Sequence, residues 1–155
     1  MMAKFPRNVV LLALLLACAA PAPVFASSAA MREASQVLLG KGLAASDTNR
    51  ARRLLEQSIV ADPANAAALS ALGHLYQTGG KADLARKYYG LALSTDPTEP
   101  SALFGAAELD IADGKTADAR DRLRILKVVC PACSQTHDLE NKLGSNATAP
   151  LSSHP

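Results

Sequence analysis

The chain has 155 residues, with 16 Lys and Arg against 14 Asp and Glu, which is enough for one domain of modest size. Two of the basic residues, Lys4 and Arg7, fall in the first 26 positions, where no acid occurs, so the remainder is formally neutral. Beyond that point only Tyr76, Tyr88, Tyr89 and Phe104 are aromatic. A basic, base-stacking surface for nucleic acid is therefore excluded.

Residues 1–26 have the layout of a signal peptide. Lys4 and Arg7 supply the positive start, and Val9 to Ala20 is an apolar run too short for a comfortable membrane span. Pro21 and Pro23 interrupt the run, and Val24-Phe25-Ala26 places small residues where a signal peptidase reads. Cleavage is expected after Ala26. A second reading stays open, because Leu15-Leu16-Ala17-Cys18 resembles the lipobox of bacterial lipoproteins, in which Cys18 would be lipidated. Either route exports the chain from a bacterial cytoplasm. The first leaves it in the periplasm; the second anchors it to a membrane, and a membrane is a partner only in that case.

From about Arg32 onward the sequence repeats itself. Pro63, Pro97 and Pro131 recur every 34 residues, the first two in the phrase Asp-Pro. A fixed interval of this length marks stacked supersecondary units. In the first unit, about residues 32–65, Ala51, Leu55 and Pro63 fit the later copies directly. Its first half fits better one residue later, as Leu39-Gly40 and Leu43, so a turn one residue short is expected near Ser46-Asp47. In the second unit, 66–99, Leu69, Leu72 and Tyr76 are three and four apart and form one helical stripe. Leu84, Tyr88 and Leu91, with Ala85, Tyr89 and Ala92, are expected to give its second helix a broad apolar face. Gly79-Gly80 breaks the chain between the two helices, and Asp96-Pro97 ends the second. The third unit, 100–133, repeats this with Leu103, Ala107, Ala119, Leu123 and Leu126, and Asp113-Gly114 takes the turn. Asp110 stands where the earlier unit has Tyr76. Residues 134–143 carry Leu139 and Leu143 four apart, as an amphipathic cap would. Residues 144–155 are poor in core material and are expected to be a disordered tail.

Leu69, Leu72-Gly73, Tyr76, Ala85, Tyr89, Ala92 and Pro97 stand at the spacings of the tetratricopeptide repeat, and the chain resembles that family. The opening aromatic is replaced by Leu69. The resemblance implies an all-α, right-handed superhelix of three helix-turn-helix repeats with a C-terminal capping helix. It further implies a concave groove lined by the first helix of each repeat. In the second repeat the lining would include Ser70, His74 and Gln77; in the third, Phe104, Glu108 and Ile111; in the first, under the shifted register, Ala34, Val37, Lys41, Ala44 and Ala45. Family members that hold a terminal carboxylate use Lys, Asn and Arg on these helices. Here Ser70, Phe104, His74 and Glu108 occupy such positions, so a partner offering an extended or helical apolar segment is expected instead.

Chemistry has few footholds. Cys130-Pro131-Ala132-Cys133 has the spacing of a thiol–disulfide exchange site, but it follows a helix and no strand precedes it. In an exported chain a structural disulfide between Cys130 and Cys133 is the favoured reading, pinning the last repeat to its cap. The three His are not spaced to share a metal, and no Gly-rich phosphate loop or nucleophile elbow is present. No catalytic residue, cofactor or metal is expected. Arg120, Arg124 and Lys127 share one face of the last repeat's second helix and could touch anionic lipid or an acidic partner; with Asp118 and Asp121 beside them, a mixed solvated surface is the favoured reading. The expected function is a protein-interaction scaffold of the bacterial cell envelope, holding another protein and not acting as an enzyme. The alternatives are a thiol–disulfide oxidoreductase using Cys130 and Cys133, and a structural assembly factor of an envelope complex.

Overall fold

Three helices begin one repeat apart, at Thr48, Ala82 and Thr116, and set the frame of the molecule. The computed structural model describes residues 24–147. Residues 1–23, with Cys18, and residues 148–155 lie outside the described residues. Those described form α1 (Val24–Leu43), α2 (Thr48–Ala61), α3 (Ala66–Thr78), α4 (Ala82–Thr95), α5 (Pro100–Ala112), α6 (Thr116–Val129) and α7 (Ser134–Ala147), with no strand among them. Consecutive pairs make three hairpins that stack side by side, and α7 packs on α5 and α6.

The helix ends follow from their residues. Asn65 and Glu99 each accept a bond from the backbone N–H three residues on, capping α3 and α5, and Pro100 opens α5 where a missing N–H costs nothing. Gly80 and Gly114 take left-handed φ values of 72° and 76°, which lets Lys81 and Lys115 donate back to the carbonyls of Tyr76 and Asp110. Asp62 and Asp96 accept from the N–H two residues on and shape the Asp-Pro turns.

Small residues allow the crossings and Tyr89 fills them. Its ring lies between Gly73 on α3 and Gly105 on α5; a β-carbon on Gly73 would come within 2.8 Å of the ring. Leu69, Ala85, Ala92, Ala102 and Ala106 complete that core. Leu139 and Leu143 of α7 are buried with Leu103, Ala107, Leu123 and Leu126, so the cap covers apolar surface that the third hairpin would otherwise leave wet. Leu39, Leu55, Ala68 and Leu72 join the first hairpin to the second. Beside them sits a buried polar knot: Asn65 donates to the Ser35 hydroxyl, and Ser35 and Ser58 exchange hydroxyl-to-carbonyl bonds of 2.8 Å.

The one-residue shift expected in the first hairpin is not found. Gly40 is exposed with open space around it, whereas a β-carbon on Gly42 would meet Leu55 at 2.9 Å. With the unshifted spacing, Ser35, Leu39 and Gly42 align with buried Leu103, Ala107 and Asp110 of α5. The turn differs for another reason. Ser46 stands where Gly80 and Gly114 stand later, and no residue other than glycine has positive φ among those described. The left-handed closure is therefore not used, and α1 ends one residue early relative to α3 and α5. At the other end α7 runs to Ala147 instead of stopping at Leu143, since nothing from Gly144 to Ala147 blocks helical φ.

Candidate functional site

The concave wall is built by α1, α3 and α5, and α7 closes its far end. Under the unshifted register the first hairpin presents Glu33, Gln36, Gly40, Leu43 and Ala44, all exposed. Ala34 and Lys41 are exposed as well, but at the positions where α3 has Ala68 and Leu75. On α3 His74 is exposed, while Ser70 is only 2% exposed and its hydroxyl donates to the Ala67 carbonyl, so Ser70 does not contribute to the open wall. Phe104, Glu108 and Ile111, on one stripe of α5, are half-buried.

Gln77 and Glu108 are held in place from behind and from the side. The Tyr89 hydroxyl donates to Gln77 Oε1 at 2.6 Å, and Gln77 Nε2 donates to Glu108 Oε2 at 3.0 Å. Lys142 of α7 donates to Glu108 Oε1, and its ammonium lies 5.6 Å from the Phe104 ring centroid. Burial holds the Tyr89 phenol well above its ordinary pKa, with the charges of Glu108 and Glu99 adding to the effect, so it stays a donor in this chain.

Two hollows flank this network. One, of about 250 Å3, is lined by Glu108, Ile111, Ala112, Lys142 and Ser145. The other, of about 290 Å3, lies among His74, Tyr89, Ser101, Phe104, Gln135 and Asp138. The structure thus brings His74, Phe104, Glu108 and Ile111 to one surface. Gln135, Asp138 and Lys142 were not legible as site residues, because α7 reads from its two leucines as a cap alone. The polar side of its own heptad, spaced three and four apart, was the available signal.

Away from this wall, Asp110 fills the position of Tyr76 and is buried against two cations. Arg122 Nε donates to it at 2.7 Å, and Arg86 lies at 3.9 Å while also pairing with Asp113. Cys130 caps the end of α6, its carbonyl accepts from Thr136 at 2.7 Å, and its sulfur is paired with that of Cys133 across a Cα separation of 5.4 Å. Among the described residues no group of three metal-ligating side chains converges, and no helix is long and apolar enough to cross a membrane.

Repeated helical hairpins, a 34-residue interval and a groove walled by the first helix of each hairpin define a tetratricopeptide-repeat architecture. Comparison with solved structures gives the same fold. The Arabidopsis OM64 TPR domain superposes with a TM-score of 0.64 at 20% identity, covering 75% of this chain and 98% of that one. The first TPR of Spaghetti (RPAP3), bound to an HSP90 peptide, gives a TM-score of 0.64 at 16% identity, over 76% and 96% of the two chains. The Yersinia enterocolitica type III secretion chaperone SycD, in complex with a peptide of the translocator YopD, gives 0.56 at 20% identity, over 76% and 88%. In sequence, the chain is 33% identical over 102 residues to cellulose synthase operon protein C of Xanthomonas axonopodis pv. citri (strain 306). That match covers 62% of this chain and 7% of the relative, so the chain spans a small part of the protein it resembles. No protein-family model matches the chain.

Proposed function

We propose that this chain is an exported scaffold of the bacterial cell envelope that holds a segment of another protein against α3, α5 and α7. The observation that carries the reading is the wall itself: Phe104 and Ile111 stand half-buried between two hollows, on a rigid helical stripe with its polar neighbours already fixed by hydrogen bonds. Structural neighbours that carry peptides support binding of this kind. The layout of residues 1–26 supports export.

The chemistry of the wall sets the partner. Among the described residues, the cation reaching its centre, Lys142, is already engaged by Glu108. A terminal carboxylate would find His74 and Glu108 on helices where family members that hold one use Lys, Asn and Arg. An apolar segment, extended or helical, fits Phe104 and Ile111 better. The Cys130–Cys133 disulfide belongs to this reading as a clamp on the turn that leads into α7, and a mass shift on alkylation only after reduction would establish it.

The test is a pull-down from envelope extract with wild type, Phe104→Ala and Ile111→Ala. Loss of the same partner in both variants supports the groove; unchanged partners in both would remove the concave face from consideration. Mass spectrometry of the mature N-terminus decides between cleavage after Ala26 and lipidation at Cys18.

A further inference from the structure

We propose that the outward face of α2, α4 and α6 docks on an anionic phospholipid surface. Charge is divided unequally across the stack. These three helices carry three, two and four Lys and Arg against one, one and two Asp and Glu. Taken together, the helices of the concave side and the cap carry three Lys and Arg against five Asp and Glu, the excess of acid lying on α5 and α7. Arg86 and Arg122 turn inward to Asp110 and are spoken for. Arg53, Lys87 and Arg120 are exposed and have no ion-pair partner among the described residues.

Aliphatic side chains stand between these cations. Val60 is 79% exposed and Val128 81%, and they occupy the same position two repeats apart. Leu91 and Ile125 are likewise exposed at one shared position. On α6, Ile125, Val128 and Val129 border a hollow of about 490 Å3 together with Thr98, Asp121 and Arg124. Repetition places these residues on one side of the stack, outside the groove and away from the core.

The pattern selects among occupants. A protein partner needs a contiguous apolar centre that excludes water. Here the aliphatic side chains are spread over three helices, with Arg53, Lys87 and Arg124 interleaved along the same helices and Asp121 at the α6 position equivalent to Arg53 and Lys87. A fluid interface accepts scattered insertions, and anionic headgroups supply the complementary charge. The stems of Arg and Lys lie along apolar surface while their heads reach the phosphates. This face is separate from the groove and does not depend on it.

The test is co-sedimentation of the full chain with vesicles of phosphatidylcholine alone and with 30% phosphatidylglycerol, wild type and variants in parallel so that residues outside the face contribute equally. Binding to the anionic vesicles only, weakened by 0.5 M salt, is expected. Each basic residue near such a surface contributes about fivefold to partition, so Arg53→Gln with Lys87→Gln lowers it roughly 30-fold. Ile125→Asp and Val128→Asp also abolish it, with helicity and melting temperature unchanged. Equal binding by wild type and these variants, or none to anionic vesicles at low salt, overturns the proposal. A dimer that Val128→Asp dissociates would assign the face to a second copy. Retention on poly-glutamate without dependence on Ile125 and Val128 would assign it to an acidic protein. Either result also overturns it.

Discussion

Tyr89 and Gly105 share the space of one side chain: a β-carbon on Gly105 would overlap Cζ and the hydroxyl of the Tyr89 ring. The ring cannot step aside freely, because it is almost fully buried and its hydroxyl is bound to Gln77. Overpacking of this kind costs about 1–3 kcal/mol, against about 1 kcal/mol of helix propensity gained by alanine. Gly105→Ala is therefore expected to lower stability in urea. Gly90→Ala, on α4 with nothing within 4 Å, is expected to raise it by about 0.5–1 kcal/mol. A stabilised Gly105→Ala would contradict the packing.

The same ring predicts a pH dependence. Burial, then the charges of Glu108 and Glu99, raise the Tyr89 pKa above its ordinary 10.0. Above pH 10 the unfolded chain loses this proton while the folded chain keeps it, so the stability it contributes is present below pH 10 and falls as pH rises. One such group gives a slope of about 1.4 kcal/mol per pH unit there. Tyr89→Phe should flatten the curve by about 1 kcal/mol between pH 10 and 11. Identical slopes in chemical denaturation would refute it.

Asp110 should behave as half of a buried pair. Asp110→Ala leaves Arg122 and Arg86 without their shared carboxylate and is expected to cost about 2–4 kcal/mol. Arg122→Leu with Asp110→Leu should recover most of the loss, since an apolar pair of similar volume needs no desolvation. The double-mutant cycle reads the coupling directly; additive losses would mean the two residues act independently.

Asn65 joins two tasks, capping α3 and donating to Ser35 on α1. Asn65→Ala is expected to destabilise by about 2–3 kcal/mol, combining a lost cap with a buried hydroxyl left short of a partner. Asp47→Ala, which removes only the exposed cap of α2, should cost about 1 kcal/mol. Equal effects in thermal melts would show that the Ser35 contact carries no weight.

The helices and their pairing were legible from the sequence because the repeat restates them: Pro63 with Pro97, Gly80 with Gly114, Leu69 with Leu103. Where one copy departs, the reading slipped. Gly40 drew the first hairpin out of register, since a Leu-Gly dipeptide is a strong local signal. The contact that decides the register, Gly42 against Leu55, is made only after α1 and α2 have met. The knot of Ser35, Ser58 and Asn65 links residues up to 30 apart and carries no local pattern. Arg86 and Arg122 beside Asp110 were hidden for the same reason. On the concave wall, Ser70 was placed by its repeat position alone, and burial by its neighbours could not be read there. Lys142 was missed because its meeting with Glu108 spans 34 residues, from α5 of the third repeat to the capping helix.

The serine–asparagine knot sets how the array comes apart. Hairpins two and three are bolted by a large ring wedged between glycines, an attachment that water cannot replace. The first hairpin is joined instead by the smaller side chains Leu39, Leu55, Ala68 and Leu72 and by the buried hydroxyl knot, with no ring wedged between glycines. Fraying should therefore start at α1 and α2, and amide exchange there should run ahead of the rest, leaving the N-terminal stretch of the wall able to adjust while the C-terminal stretch stays rigid.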